Sequence, residues 1–218
     1  MFDAPHDTPR YIVIEGPIGV GKTTLVTRLA ERYNARTVLE VFEENPFLAD
    51  FYADRDRYAF QTEMFFLLSR YRQQENFAQD DLFGQMSVSD YLFTKCRLFA
   101  SLTLSDHELT LYDRMYSILS TQVPRPDVVI HLNAPLETLL GRIKQRGRAY
   151  ERNMDPEYLE RLRSLYVQFF QHYEKTPLLN LDTSDVDFTQ DEQAIENVME
   201  MAVDVVKSAR APQPAIEF

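Results

Sequence analysis

Five short apolar runs punctuate the chain, and between them the apolar positions recur at helical spacing. Residues 11–15 (Tyr-Ile-Val-Ile-Glu) are apolar without alternation and run into a glycine-rich turn. That pattern predicts a strand buried on both faces of a parallel sheet. Residues 37–42, 85–89, 128–132 and 178–181 read as further strands, with 128–132 the clearest. Helical periodicity covers residues 22–33, where Leu25, Leu29 and Ala30 share a side. It also covers 58–74, which is rich in Phe, Leu and Met, then 92–104, 108–123, 136–148, 156–175 and 194–207. Pro124 and Pro126 interrupt the chain just before the fourth strand. Strands alternating with helices predict an α/β domain with helices on both faces of a parallel sheet. The pattern holds one domain over residues 1–218, with loose tails at about 1–9 and 210–218 that contain Pro5, Pro9, Pro212 and Pro214.

Charge and composition narrow the function classes. The 23 basic and 34 acidic residues leave a net charge of -11, which repels a phosphate backbone and argues against nucleic-acid binding. No apolar stretch approaches the roughly 18 residues of a membrane helix. Residues 1–10 lack a basic start followed by an apolar core, so a cytoplasmic protein is expected. Cys96 is the only cysteine, which excludes an intrachain disulfide and a cysteine-based zinc site. His6, His107, His131 and His172 are scattered without metal-ligand spacing, and none is assigned to catalysis; His131, within a strand, reads as a buried core residue.

The strongest motif is Gly16-Pro-Ile-Gly19-Val-Gly21-Lys22-Thr23, followed by Thr24. Glycines at this spacing let backbone N–H groups curl around a phosphate, and the following helix aims its positive dipole end at the same point. Lys22 can then reach the β- and γ-phosphates while the Thr23 hydroxyl holds Mg²⁺. The strand before the motif and the helix after it favour nucleotide binding, with ATP as the expected phosphate donor, over a chance glycine-rich turn. Two acidic stretches follow the next strands. Glu43-Glu44-Asn45-Pro46 could supply a proton acceptor at a strand's C-terminal end, although the residues alone read more readily as a solvated acidic turn. Asp90, in Ser89-Asp90-Tyr91, could hold the second metal position or simply cap a helix. Arg142, Arg146, Arg148 and Arg152, with Lys144 among them, form a basic cluster in an acidic protein. A movable lid over a transferring phosphoryl accounts for it better than a paired helix surface does, given Gly147 in its midst.

Together these segments resemble the deoxyribonucleoside kinases, in the branch with the deoxyguanosine and deoxyadenosine enzymes. The resemblance spans residue 11 to about 188. It rests on Val-Phe-Glu-Glu-Asn-Pro-Phe-Leu at 41–48, Leu-Ser-Arg-Tyr-Arg at 68–72, Ser-Asp-Tyr at 89–91 and Arg-Ile-Lys-Gln-Arg-Gly-Arg at 142–148. It implies a P-loop kinase fold, a five-stranded parallel sheet flanked by helices with a small arginine-rich lid, and a homodimer formed through helices. It also implies roles: Glu43 as general base for the sugar 5′-hydroxyl, with Glu44 the close alternative; Arg70 steadying that site; Tyr52 and Glu151 on the 3′-hydroxyl; Thr23 and Asp90 on Mg²⁺; and Arg142, Arg146 and Arg148 on the transferring charge. Two departures stand out. Where many members carry Asp/Glu-Arg-Ser after the third strand, this chain has Asp90-Tyr91-Leu92, so a positive charge near the base is missing. Where most carry a base-reading glutamine seven residues before the helix arginine, this chain has Glu63, with Gln61 out of register by two.

A carboxylate only accepts hydrogen bonds, and guanine offers two adjacent donors, N1–H and the 2-amino group. The expected reaction is therefore ATP-dependent phosphorylation of a purine deoxynucleoside, deoxyguanosine first, with a deoxyadenosine-preferring or broad enzyme as the alternative. A nucleoside monophosphate kinase would need a further arginine clamp for the acceptor phosphate. A GTPase-type switch would need an Asn-Lys-x-Asp loop where Asn133-Ala-Pro-Leu stands.

Overall fold

The structure is a computed structural model that describes residues 8–80, 85–152 and 154–211. Most of the two expected tails lies outside that range. A five-stranded, all-parallel sheet runs in the order β2-β3-β1-β4-β5, with helices on both faces. The central strands are β1 (Tyr11–Glu15), buried at every position, and β4 (Val128–Asn133), buried at all but its last residue. Both are the unalternating apolar runs expected of strands covered on two sides. β5 (Leu178–Asp182) and β2 (Arg36–Val38) form the edges and are only partly covered. The helices are α1 (Lys22–Tyr33), α2 (Leu48–Ala53), α3 (Arg55–Asp80), α4 (Lys95–Thr103), α5 (Asp106–Leu119), α6 (Leu136–Arg146), α7 (Pro156–Gln171) and α8 (Glu192–Arg210).

Several boundaries differ from the sequence pattern, each for a local reason. β2 stops at Val38 instead of continuing to residue 42. Beyond it the Glu40 N–H donates to the Asp90 side chain (2.8 Å), and the Leu39 carbonyl accepts from Gln73 of α3 (3.0 Å), so the ladder has no groups to continue with. α2 was not anticipated. It is set by Asn45, whose side-chain oxygen accepts the Phe47 N–H (3.0 Å) and whose amide donates to the Thr62 carbonyl (3.2 Å). The Asn-Pro pair thus folds the chain back onto α3. α5 starts two residues early because Glu108 reaches back to accept the Ser105 N–H (3.0 Å). α6 ends at Arg146, where Gly147 adopts φ +69° and donates its N–H to the Ile143 carbonyl (3.1 Å).

Below the cleft, the buried carboxylate of Glu15 accepts from the Gly16 N–H (3.0 Å), the Leu92 N–H (2.7 Å) and the Tyr166 hydroxyl (2.9 Å). One side chain therefore joins the P-loop, the β3–α4 connection and α7. His131 is buried as expected, stacked on Phe170 and hydrogen-bonded to Asn180 (2.9 Å).

Gly16 packs directly on the neighbouring strand: a Cβ there would lie 2.3 Å from the Leu132 carbonyl oxygen. Backbone cannot retreat as a flexible side chain can. Gly16→Ala is expected to destabilise the protein by about 1–3 kcal/mol, the usual scale of overpacking. Thermal unfolding should register a fall of roughly 2–4 °C per kcal/mol; an unchanged midpoint would contradict the tight P-loop–β4 contact.

Candidate active site

Every strand that carries a candidate group delivers it at its C-terminal end, where parallel α/β sheets open into a crevice. The crevice has two parts. An open cleft of about 900 Å³ is lined by the P-loop, the first turns of α1, Arg142, Arg146 and Arg148, and the β5–α8 loop from Ser184 to Thr189. Gly19, Gly21, Lys22, Thr23 and Thr24 line it, while Gly16 lies buried behind it. Next to it is a smaller cavity of about 110 Å³ between α2, α3, α4 and the lid. Gly19, Lys22, Thr23, Arg146 and Arg148 line both, so they mark where the two meet.

The Lys22 ammonium donates to the carbonyls of Gly16 (2.7 Å) and Pro17 (3.1 Å). Burial lowers its pKa to about 8, and the nearby Lys95 charge adds to the shift. Phosphate oxygens would reverse both effects. Thr23 donates its hydroxyl to Asp90 (2.8 Å). A hydroxyl and a carboxylate side by side at the mouth of the cleft suit a hard cation that keeps most of its waters, as Mg²⁺ does. Asp90's pKa is raised, first by burial and then by the charge on Glu40.

Of the carboxylates that line the smaller cavity, Glu40 is the one held by two cations. It stands nearer the end of β2 than the expected Glu43: β2 ends at Val38, Glu43 falls in a 3-10 turn (Phe42–Glu44), and Glu44 is exposed. Glu40 accepts from the Arg70 Nε (2.8 Å) and a second Arg70 nitrogen, and from the Lys95 ammonium (2.8 Å). Burial alone would raise its pKa, but the two cations outweigh burial and hold it well below the ordinary carboxylate range. Lys95 also corrects the missing positive charge. It stands in the first turn of α4, five residues after Asp90, and is buried. A lysine inside the apolar run from Tyr91 to Ala100 was the available signal.

Arg142 departs from its expected role too. Its guanidinium donates to the carbonyls of Val20 (3.3 Å), Thr183 (2.6 Å) and Val186 (3.0 Å) and to the Thr183 hydroxyl (3.1 Å). It ties the P-loop to the β5–α8 loop instead of standing free over a phosphate. Arg146 and Arg148 do face the cleft. Arg146 pairs with the buried Glu151 (2.6 Å), and Arg148 lies over the Phe42 ring (3.9 Å). Arg152 is exposed. Tyr52 stacks on Tyr150 of the lid (5.9 Å between centroids), and burial followed by the Glu151 charge keeps its hydroxyl protonated well past the ordinary range. Glu63 is 2% exposed and lines the cavity, whereas Gln61 is exposed. The Glu63 Oε1 lies 3.3 Å from the Thr103 hydroxyl, and Oε2 has no hydrogen-bond partner.

A family model described as deoxynucleoside kinase matches residues 12–207. The chain belongs to the deoxynucleoside kinase family. It is 42% identical over 183 residues to a deoxyguanosine kinase of Bacillus subtilis, a match covering 83% of this chain and 88% of the relative. It is 30% identical over 210 residues to a deoxyadenosine/deoxycytidine kinase of the same organism, covering 92% and 96%. A solved deoxyadenosine kinase from M. mycoides with bound dATP superimposes with a TM-score of 0.75 at 24% identity, over 88% of this chain and 98% of that one. That likeness supports the fold alone: a P-loop kinase sheet flanked by helices.

The two glutamates separate cleanly by mutation. Glu40→Gln is expected to lower kcat by about a hundredfold or more with a modest change in KM, the pattern of a lost proton acceptor. Glu43→Gln should stay within a few-fold of the unmodified enzyme. Steady-state kinetics on both variants check this, and the reverse ranking would return the role to residue 43.

Proposed function

We propose that the protein transfers the γ-phosphoryl group of ATP to the 5′-hydroxyl of deoxyguanosine, giving dGMP and ADP. The observation that carries the base assignment is Glu63, a buried carboxylate with one unpartnered oxygen in the same cavity as Glu40. An ionised carboxylate accepts two hydrogen bonds side by side, which suits guanine's N1–H and 2-amino donors. A buried carboxylate facing adenine's N1 lone pair would be left unsatisfied at a cost of about 1–3 kcal/mol or more. The 42% identical relative named deoxyguanosine kinase supports the same reading.

The mechanism follows from the geometry. The donor phosphates lie along the P-loop, held by its amides and Lys22. Thr23 and Asp90 would hold Mg²⁺, which neutralises charge on the donor phosphates when bound. The 5′-oxygen attacks the γ-phosphorus, the bond to the β–γ bridging oxygen breaks, and ADP carries away that electron pair. The hydroxyl proton passes to Glu40. A strongly acidic carboxylate suffices for this, because a loose phosphoryl-transfer transition state leaves the nucleophile's proton in place until late. Arg70 and Lys95 keep Glu40 ionised and oriented. Arg146 and Arg148 offset charge on the phosphoryl in flight. Tyr52 and Glu151, brought together by the lid, suit the 3′-hydroxyl of a deoxyribose. A cytoplasmic setting, where ATP and magnesium are at hand, suits the reaction.

The test is an assay with ATP and each of the four deoxynucleosides. Deoxyguanosine should give the highest kcat/KM, and at pH 8 Glu63→Gln should move the ratio toward deoxyadenosine by roughly tenfold, about 1.4 kcal/mol. A preference for a pyrimidine, or a ratio unmoved by Glu63→Gln, would remove Glu63 from base reading.

The protein also acts as a C2 homodimer in this proposal. α4 turns Lys95, Cys96, Leu98 and Ala100 into the chain's own interior. Among the described residues the exposed large apolar side chains are Leu68 of α3, Met201 of α8 and Leu111, Met115 and Ile118, the last three forming one stripe along α5. A stripe of this kind is normally covered by a partner. Light scattering should give twice 25.6 kDa at micromolar protein, and Leu111→Glu with Ile118→Glu should halve it; a monomeric unmodified protein would overturn the proposal.

A further inference from the structure

We infer that Glu63 reads purines in two protonation states, so that the enzyme accepts deoxyadenosine when Glu63 carries a proton and rejects it when Glu63 is ionised. The inference rests on the proposed role of Glu63 as the residue facing the base and goes beyond it by adding a second substrate and a condition for its use. As a neutral acid, Glu63 presents one donor and one acceptor, which is the arrangement of a carboxamide. Its O–H can donate to adenine N1 while its carbonyl accepts from the 6-amino group. The same acid can donate to guanine O6 and accept from N1–H. Deoxyguanosine is therefore read in both states and deoxyadenosine in one.

The hydrogen bonding around Glu63 already favours the neutral form in the free protein. Thr103 has a single hydroxyl proton, and its oxygen lies 2.9 Å from the Phe99 carbonyl and 3.3 Å from Glu63 Oε1. The shorter contact takes the larger share of that proton, so Glu63 Oε1 receives at most a weak hydrogen bond from Thr103. Oε2, meanwhile, has no partner among the described residues. A buried carboxylate with one oxygen weakly satisfied and the other unpartnered is costly, and protonation removes that cost.

The surrounding charges are divided: Arg70 and Lys95 favour the ionised form, and Glu40 the neutral one. From its own helix Glu63 faces Arg70. From the end of β2 it faces Glu40, from α4 Lys95, Cys96 and Thr103, from α5 Tyr112, and from α7 Tyr158. Both cations are already engaged by Glu40, whose charge also repels a second carboxylate. Burial is the largest effect, and the balance raises the Glu63 pKa to about 7. The protonated fraction then falls from about nine-tenths at pH 6 to about one-tenth at pH 8.

The experiment measures kcat/KM for deoxyguanosine and deoxyadenosine across pH 5.5–8.5, as a ratio, so that effects on ATP binding or on Glu40 cancel. The ratio should rise about tenfold between pH 6 and pH 8 in the unmodified enzyme, and stay flat in Glu63→Gln. A second probe, 1-deazadeoxyadenosine, lacks the acceptor that the proton would reach. Its turnover relative to deoxyguanosine should show no gain at low pH. A stability readout covers the case in which Glu63→Gln is poorly active. A carboxyl whose folded pKa is raised binds a proton in the folded state that the unfolded chain has released. The ligand-free enzyme should therefore lose stability relative to Glu63→Gln as pH rises from about 4.5 through 7, with no further difference above that window. A flat ratio in the unmodified enzyme overturns the inference while leaving Glu63 as a reader of guanine. A pH dependence that survives in Glu63→Gln assigns it to another group and overturns it as well. No turnover of either purine at any pH overturns both this inference and the function on which it rests.

Discussion

The buried contact of Glu40 with Arg70 and Lys95 holds the cleft together. A carboxylate removed from water is tolerated only when opposite charge surrounds it, and removing one partner of a buried ion pair typically costs about 3–5 kcal/mol. Here the three groups come from the end of β2, the middle of α3 and the start of α4. Their mutual attraction sets the distance between those elements and therefore the width of the acceptor cavity. It also explains why Glu63, one layer further in, sits among cations and yet has none of its own. The strongest acid of the site has claimed them.

This contact was also the part of the site least legible in the sequence. The P-loop needed no structure to be found, because its chemistry is written in consecutive residues. Arg70 and Glu63 were reached through the family resemblance, and the seven-residue interval between them keeps both on one face of α3. Glu40 was hidden because its position depends on where β2 ends. That end is decided by a hydrogen bond to Asp90, fifty residues away. An apolar run through Phe42 reads as strand whether or not a side chain elsewhere takes over its backbone N–H. Lys95 was hidden for a related reason. The cation expected from the resemblance directly follows the acid that here is Asp90, whereas in this chain a lysine reaches Glu40 from the first turn of the next helix.

The lid followed the same division. Its arginines and its glycine were visible as composition, but their separate duties were not. Arg142, Arg146 and Arg148 are alike in sequence, yet they end on backbone carbonyls, on Glu151 and on an aromatic face respectively. Helical spacing places residues on a face but says nothing about what waits there. α2 and the Asn45 turn show the opposite case. A motif carried into the reading for its acids proved to matter structurally for its asparagine, which fastens the loop to α3.

The Arg142 anchor has a consequence for how such an enzyme can change. Three of its four hydrogen bonds end on main-chain oxygens, and the fourth on Thr183. The β5–α8 loop from Thr183 to Val186 is therefore held by its main chain, whereas further on the Asp187 side chain accepts from the Thr189 N–H (2.9 Å) and hydroxyl (2.6 Å). Asp185 lies between the two anchors and lines the cleft. A change of side chain there alters what the cleft presents beside the phosphate-binding glycines without moving the loop that carries it.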